Sequence, residues 1–210
     1  MIVDFKKLYK EQYLPKKVPS VIEMPSVNYL AVRGKGDPNQ AGGEYQQSIE
    51  LLYGVAYKLK MSYRSEYQID GFFQYVVPPL EGFWWIDGLH GMDVTRKEEL
   101  NFISLLRLPD FIHEKDVQWA KIEVAKKKNK DYAKVEFFTY DEGLCVQCMH
   151  IGSYDSEFET TEKMATFVEE NGFALDINES RFHHEIYISD PRKTALNKLK
   201  IVLRHPIKSN

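Results

Sequence analysis

One order of elements occurs twice along this chain, and that recurrence limits the fold more than any single residue does. Residues 27–33 form a short, almost continuously apolar run in which Val27, Tyr29 and Ala31 alternate with Leu30 and Val32, as expected of a strand buried on both faces. A turn at Gly34-Lys35-Gly36 follows, then a helix over 40–62 that sets Ile49, Leu52, Tyr53, Ala56 and Leu59 on one stripe. Residues 72–76 and 82–86 read as two strands joined by Pro78-Pro79-Leu80-Glu81. After residue 134 a similar plan returns. A hairpin of 135–140 and 144–151 turns at Asp141-Glu142-Gly143, and a helix over 153–171 has acids in its first turn and Gly172 at its end. A strand around Glu185, a short helix over 194–199 and a last strand over 200–204 complete it. Identity between the halves is slight, so the repeat is one of architecture. Two such halves side by side predict an α+β fold: one antiparallel sheet with helices on one side and a concave, aromatic-lined cleft on the other.

The expected organisation is a polar N-terminal arm over 1–20 and a single domain over 21–210. Its first half spans about 27–90 and its second about 134–206. Between them lie a polar loop at 87–99, an inserted strand and helix over about 100–130, and a lysine-rich helix end at 121–134 that reads as a wet face. A chain of 210 residues can bury a substantial core without staples.

Several function classes are disfavoured. The net charge of -3 with mixed signs gives neither a nucleic-acid footprint nor a membrane-surface helix. With no signal peptide and no bilayer-spanning apolar run, a soluble, cytoplasmic protein is expected. The glycine turn fails as a dinucleotide fingerprint, since Asn39 stands at the third glycine position and Pro38 interrupts. Cys145 and Cys148 fall in a predicted strand that sends them to opposite faces, so they read as ordinary thiols. His183 and His184, being adjacent in a strand, cannot chelate one ion together, and neither a metal nor a cofactor is expected.

The residues that invite chemistry lie in 181–192. Alternation puts His183, Glu185, Tyr187 and Ser189 on one face and His184, Ile186 and Ile188 on the other. If the Glu185 face meets the core, a charge costly to bury sits where only a ligand, a donor or catalysis justifies it; if it meets water, the glutamate carries no meaning. Trp84 and Trp85 point to opposite faces, and large flat aromatics serve equally as packing and as the walls of an apolar pocket.

Five segments together resemble the GyrI-like small-molecule-binding family. They are Leu30-Ala31-Val32-Arg33-Gly34-Lys35-Gly36-Asp37-Pro38, Pro78-Pro79-Leu80-Glu81-Gly82-Phe83-Trp84-Trp85, Leu106-Arg107-Leu108-Pro109-Asp110-Phe111, Met149-His150-Ile151-Gly152-Ser153-Tyr154-Asp155 and His183-His184-Glu185-Ile186-Tyr187-Ile188-Ser189-Asp190-Pro191. The resemblance implies duplicated βαββ (SHS2-like) modules and a cleft with a central glutamate, here Glu185, that takes planar hydrophobic or cationic xenobiotics. No helix-turn-helix segment is visible, so direct DNA binding is not expected. The double tryptophan and the His-His-Glu-Ile-Tyr strand look like the stand-alone cyclopropanoid cyclopropyl hydrolases, which open the cyclopropane of DNA alkylators with water in an aromatic cage. That likeness implies Glu185 and Tyr187 as catalytic residues and Trp84, Trp85, Phe72, Phe138 and His183 as ligand contacts. The alternative is a non-catalytic module that sequesters the same compounds; a protein inhibitor of a topoisomerase rests on family analogy alone. The residues leave the oligomeric state, monomer or dimer, open.

Overall fold

The structure, a computed structural model, describes residues 2–89 and 95–210. The loop expected at 87–99 therefore lies partly outside the described residues. Two short helices, α1 (Phe5–Leu8) and α2 (Lys10–Tyr13), precede strand β1 (Ser20–Lys35) and helix α3 (Glu44–Lys60). Strands β2 (Leu80–Trp85) and β3 (Asn101–Arg107), helix α4 (Glu114–Ala125), strand β4 (Glu136–Ile151) and helix α5 (Phe158–Glu170) follow. Strands β5 (Phe173–Leu175), β6 (His183–Tyr187) and β7 (Lys200–Ser209) end the chain.

The fold is mixed α+β with an antiparallel sheet, and the sheet is closed. Its strands run β4-β1-β3-β2-β6-β7-β5, and β4 also pairs with β7, so all but β5 form a barrel. Each half pairs its first strand with its last and its last with its middle one: β1 to β3 to β2, and β4 to β7 to β6. The halves meet at β1–β4 and β2–β6. Closure removes most of the free edges that an open sheet would expose.

Helix α3 covers β1 and β3, burying Leu51, Leu52 and Val55 on Leu30, Val32 and Leu106, each large aliphatic contributing roughly 1.5–3 kcal/mol. Helix α5 covers β4 and β7 with Met164 and Val168 on Val146, Cys148 and Leu203. The strand faces turned away from these helices form the barrel interior, filled by Tyr29, Phe83, Ile103, Leu105 and a set of charged side chains.

Several expected elements change. Residues 72–76 form no strand with 82–86; Tyr75 makes only a parallel bridge to Val3, and β2 pairs with β3 and β6 instead. Residues 135–151 form no hairpin. The chain runs straight through Asp141-Glu142-Gly143 as one 16-residue strand. Gly143, at φ 62, supplies a kink rather than a turn: Glu142 points inward, while Leu144 and Val146 face α5. The α5 entry has no side-chain cap, Glu157 being itself helical at φ -61, whereas Gly172 closes the end as expected, at φ 76. The last strand passes through Pro206 to Ser209. The N-terminal arm is structured: Phe5 and Tyr13 are buried against Met149, Ile186 and Val202 of the barrel interior.

Candidate functional site

Strand β6 carries two different constellations, one on each face. His184 points into the barrel with no exposed surface, its Nδ1 2.9 Å from Glu142 Oε1 and its Nε2 3.0 Å from Glu81 Oε2. Arg204 donates from Nη1 to Glu142 Oε2 at 3.0 Å and from Nη2 to Gln147 Oε1 and to the Gln12 carbonyl of the arm. Tyr13 donates to Glu81 Oε1 at 3.1 Å, so the arm closes the network. Burial alone would raise the Glu142 pKa; His184 and Arg204 reverse that and hold it at about 2. Burial likewise disfavours the His184 cation, but Glu142 and Glu81 overcome it and raise its pKa.

The opposite face of β6 holds His183, Glu185 and Tyr187, on the side where α3 and α5 lie. The cleft expected on the sheet face opposite the helices is thus corrected: that face is the packed barrel interior, and Glu185 lies on the helix side of β6. Glu185 is 8 % exposed. Its Oε1 lies 3.1 Å from His183 Nε2, and His183 Nδ1 lies 2.6 Å from His205 Nε2 on the neighbouring β7. Trp84 donates from Nε1 to the Tyr187 hydroxyl at 3.0 Å. Gly82 permits this: a Cβ there would come within 2.7 Å of Trp84 Nε1 and 3.3 Å of the Tyr187 oxygen. Tyr45, from the first turn of α3, packs on Trp84 with ring centroids 5.0 Å apart, and Tyr154, just before α5, meets Tyr187 edge-on at 6.2 Å.

Electrostatics mark this face as anionic and dry. Burial, then the Glu185 charge, raises the pKa of Tyr187 well above its ordinary value, so its hydroxyl stays a donor; the same causes raise Tyr154 to about 12. Burial and the neighbouring His183 push His205 far down, keeping it neutral. Glu157 completes the group. Burial, then repulsion from Glu185 and Asp155, raises its pKa well above the usual carboxylate range. Glu157, His183 and Glu185 each offer a ligand atom within 4.8 Å of the others, a set able to hold a divalent cation.

The sequence-predicted residues divide accordingly. Glu185, Tyr187, His183 and Trp84 come together. Trp85 and Phe138 do not join them: both lie on the interior-facing side, Trp85 against Phe182 and Phe138 stacked on Tyr140 beneath Arg33. Phe72 is elsewhere again, packed on Tyr63 and Phe111. Sequence reasoning missed Tyr45, Tyr154, Glu157 and His205. Of these, only Tyr154 lies in one of the five family-resembling segments, Glu157 reads only as a helix-entry acid, and no spacing rule links any of them to Glu185. Two surface depressions, one along α5 lined by Glu159, Glu162 and Lys163, the other by Arg33, Glu44 and Lys130, include none of these site residues in their lining.

Comparison with known proteins places this arrangement. The sequence profile of the GyrI-like small molecule binding domain matches residues 17–208. The chain belongs to the GyrI-like family. It is similar to an uncharacterized conserved protein from Listeria innocua, at 43% identity and TM-score 0.93, over 98% of this chain and 100% of that one. It is similar also to a hydrolase from Listeria innocua, at 42% identity and TM-score 0.89, over 98% of this chain and 100% of that one. The C-terminal domain of EcmrR shares the fold at 13% identity and TM-score 0.58, over 91% of this chain and 98% of that domain. No curated protein shows a significant match. The GyrI-like assignment makes this a small-molecule-binding domain, and the described residues contain no helix long and apolar enough to cross a membrane.

Proposed function

We propose that this GyrI-like protein binds flat hydrophobic or cationic xenobiotics between α3 and α5 and opens the cyclopropane of cyclopropanoid DNA alkylators by adding water. The observation that carries this reading is Glu185, a buried carboxylate that pairs with no lysine or arginine among the described residues and lies beside Trp84 and Tyr187. Structure usually compensates such a charge, and a binding or reacting site is where it persists. The hydrolase from Listeria innocua supports an enzymatic reading at 42% identity. The equivalent pairing of the two halves supports reading them as duplicated βαββ (SHS2-like) units that build one domain over 21–210, with the arm before it.

In the proposed reaction the ligand's aromatic plane packs on Trp84 and Tyr45, which also keep water out. Glu185 takes a proton from a water as its oxygen bonds to the cyclopropane methylene. The strained carbon–carbon bond breaks, and its electron pair moves through the conjugated ring to the carbonyl oxygen. Tyr187, held as a donor by Trp84 and by its raised pKa, hydrogen-bonds that oxygen as it gains charge, and solvent protonates the resulting phenolate. Relief of ring strain drives the step, so the protein contributes mainly positioning. Incubation with a cyclopropanoid alkylator, with ring-opened product followed by chromatography, tests this. A rate equal to that in buffer, or an undiminished rate in Glu185→Gln, overturns the catalytic reading.

A second reading, sequestration without turnover, is favoured by the aromatic lining of Tyr45, Trp84, Tyr154 and Tyr187. It requires ligand binding with the compound recovered unchanged.

A further inference from the structure

The Glu185 side of β6 contains two buried polar atoms with no hydrogen-bond partner: Glu157 Oε1 and His205 Nδ1. Native structures seldom leave a buried carboxylate oxygen orphaned without a reason. Glu157 is only half-buried as a residue, yet this oxygen is covered. Across from it are Glu185 and the ring of His183. No lysine or arginine among the described residues pairs with either carboxylate. The two carboxyl groups therefore face one another and an imidazole with no cationic side chain among them, an arrangement that a bound cation would stabilise.

From this geometry we infer that Glu157, His183 and Glu185 form a binding site for a divalent transition-metal ion of the zinc class. One imidazole and two carboxylates suit such an ion, and three protein ligands leave a coordination position open. Ligand atoms around tetrahedral zinc lie about 3.4 Å apart, given metal–ligand distances of about 2.1 Å. The three donors are within 4.8 Å of one another, so a modest rotation of Glu157, whose Oε1 gives up no hydrogen bond, closes the set. The second shell is present. A metal on His183 Nε2 would leave the ring proton on Nδ1, and His205 Nε2, 2.6 Å away, is placed to accept it. The ligands come from the N-terminal cap of α5 and from β6, with α5 fixed on the barrel by the packing of Met164 and Val168 against Leu203 of β7.

Cation binding goes beyond the hydrolase reading and does not depend on it, but it has a consequence for that reading. A Glu185 oxygen bound to zinc is no longer free to take a proton from water, so the ion would switch off metal-independent ring opening.

The test is titration of chelator-stripped protein with ZnCl2 by calorimetry, with Co2+ as a visible reporter. The expected result is one zinc per chain with a Kd on the order of 10 μM or tighter, and Co2+ d–d bands showing nitrogen ligation. Glu157→Gln should weaken binding about tenfold or more, and zinc should raise the Tm of the parent protein but not of that variant. Glu162→Gln, on the outer surface of α5, should bind as the parent does. The inference is overturned if the parent shows no saturable binding below about 1 mM or no Co2+ bands, neither of which requires a variant to fold. It is overturned equally if a folded Glu157→Gln binds with parental affinity. Zinc binding by a protein whose zinc-free form opens no ring sinks the hydrolase reading and leaves this one; ring opening by a protein that binds no zinc does the reverse.

Discussion

His183 and His184 are consecutive residues with nearly the same burial, and they belong to opposite kinds of site. His184, inside the barrel, has a carboxylate on each ring nitrogen, and those carboxylates are satisfied in turn by Arg204 and Tyr13. His183, on the helix side, contacts Glu185 and His205, and the group ends in unpartnered atoms at Glu157 and His205. A buried charged network that closes on itself is a structural device; one that stops short is a place for something to bind. Burial alone does not separate the two. Partnering of the carboxylates does: both oxygens of Glu81 and of Glu142 are hydrogen-bonded, whereas Glu157 Oε1 has no partner.

The largest effect that would break this contrast is on stability. Arg204→Met removes the cation that holds Glu142 while leaving that carboxylate buried, which typically costs about 3–5 kcal/mol. For a chain of this size that lowers the Tm by on the order of 10 °C, measurable by thermal unfolding. Glu185→Gln should leave the Tm unchanged or raised, because it removes a buried charge that lacks a full counter-charge. If instead Glu185→Gln destabilises as strongly as Arg204→Met, both faces are structural and the distinction fails.

Acidity sharpens the same contrast. The Glu142 pKa is depressed from 4.5 to about 2 in the folded protein, so its contribution is present above 4.5 and is lost as pH falls through about 2. His184 works in the other sense. Its raised pKa means a contribution fully present below its ordinary value of 6.5 and lost as pH rises through the folded value. The interior network should therefore stabilise most between these limits, and urea midpoints at pH 3, 5.5 and 8 should show it. In Arg204→Met the fall on the acid side should be smaller, though not abolished, because His184 still holds the Glu142 pKa down. An identical acid dependence would mean that other carboxylates set it.

Much of this fold was legible because it follows from pattern. The β1 run, the α3 stripe, the Gly172 helix end and the two-face alternation of β6 come from local rules. What was not legible depends on closure. Asp141-Glu142-Gly143 reads locally as a turn, and it is the continuous pairing of β4 with β1 on either side of it that keeps it extended. Once the sheet closes, the face opposite the helices becomes an interior, so the Glu185 cleft has to lie on the helix side. The site residues were legible as far as they share one strand or one hydrogen bond with it. Tyr45, Glu157 and His205 arrive from elements whose approach to β6 is set by the packing of α3, α5 and β7, for which single-chain spacing has no signature.

On turnover, Glu185→Gln should cost about a hundredfold or more if Glu185 is the base, read as the initial rate of ring-opened product. Tyr187→Phe removes one donor to the developing oxyanion and leaves Trp84 Nε1 unpaired, so a smaller loss of about tenfold is expected together with roughly 1 kcal/mol of stability. Equal losses in the two variants would point to a disturbed cleft rather than to separate roles.

The smallest effect is the most specific to the contrast between faces. Trp84 and Trp85 adjoin in β2 but lie on opposite sides, Trp84 beneath Tyr45 and Trp85 against Phe182 with its Nε1 3.2 Å from Asp87. The third tryptophan, Trp119, is stacked on Tyr67 with centroids 4.2 Å apart, away from both. Fluorescence quenching by a planar aromatic ligand can therefore be assigned by substitution. Trp85→Leu should leave affinity within about twofold and most of the quenching in place, whereas Trp84→Phe should abolish the quenching and weaken binding by about 1 kcal/mol through the lost stacking area. If the quenching follows Trp85 instead, the ligand rests on the Phe182 and Tyr140 cluster of the interior-facing side. Glu185 would then have no part in holding it, and its lack of a counter-charge would need an explanation other than this ligand.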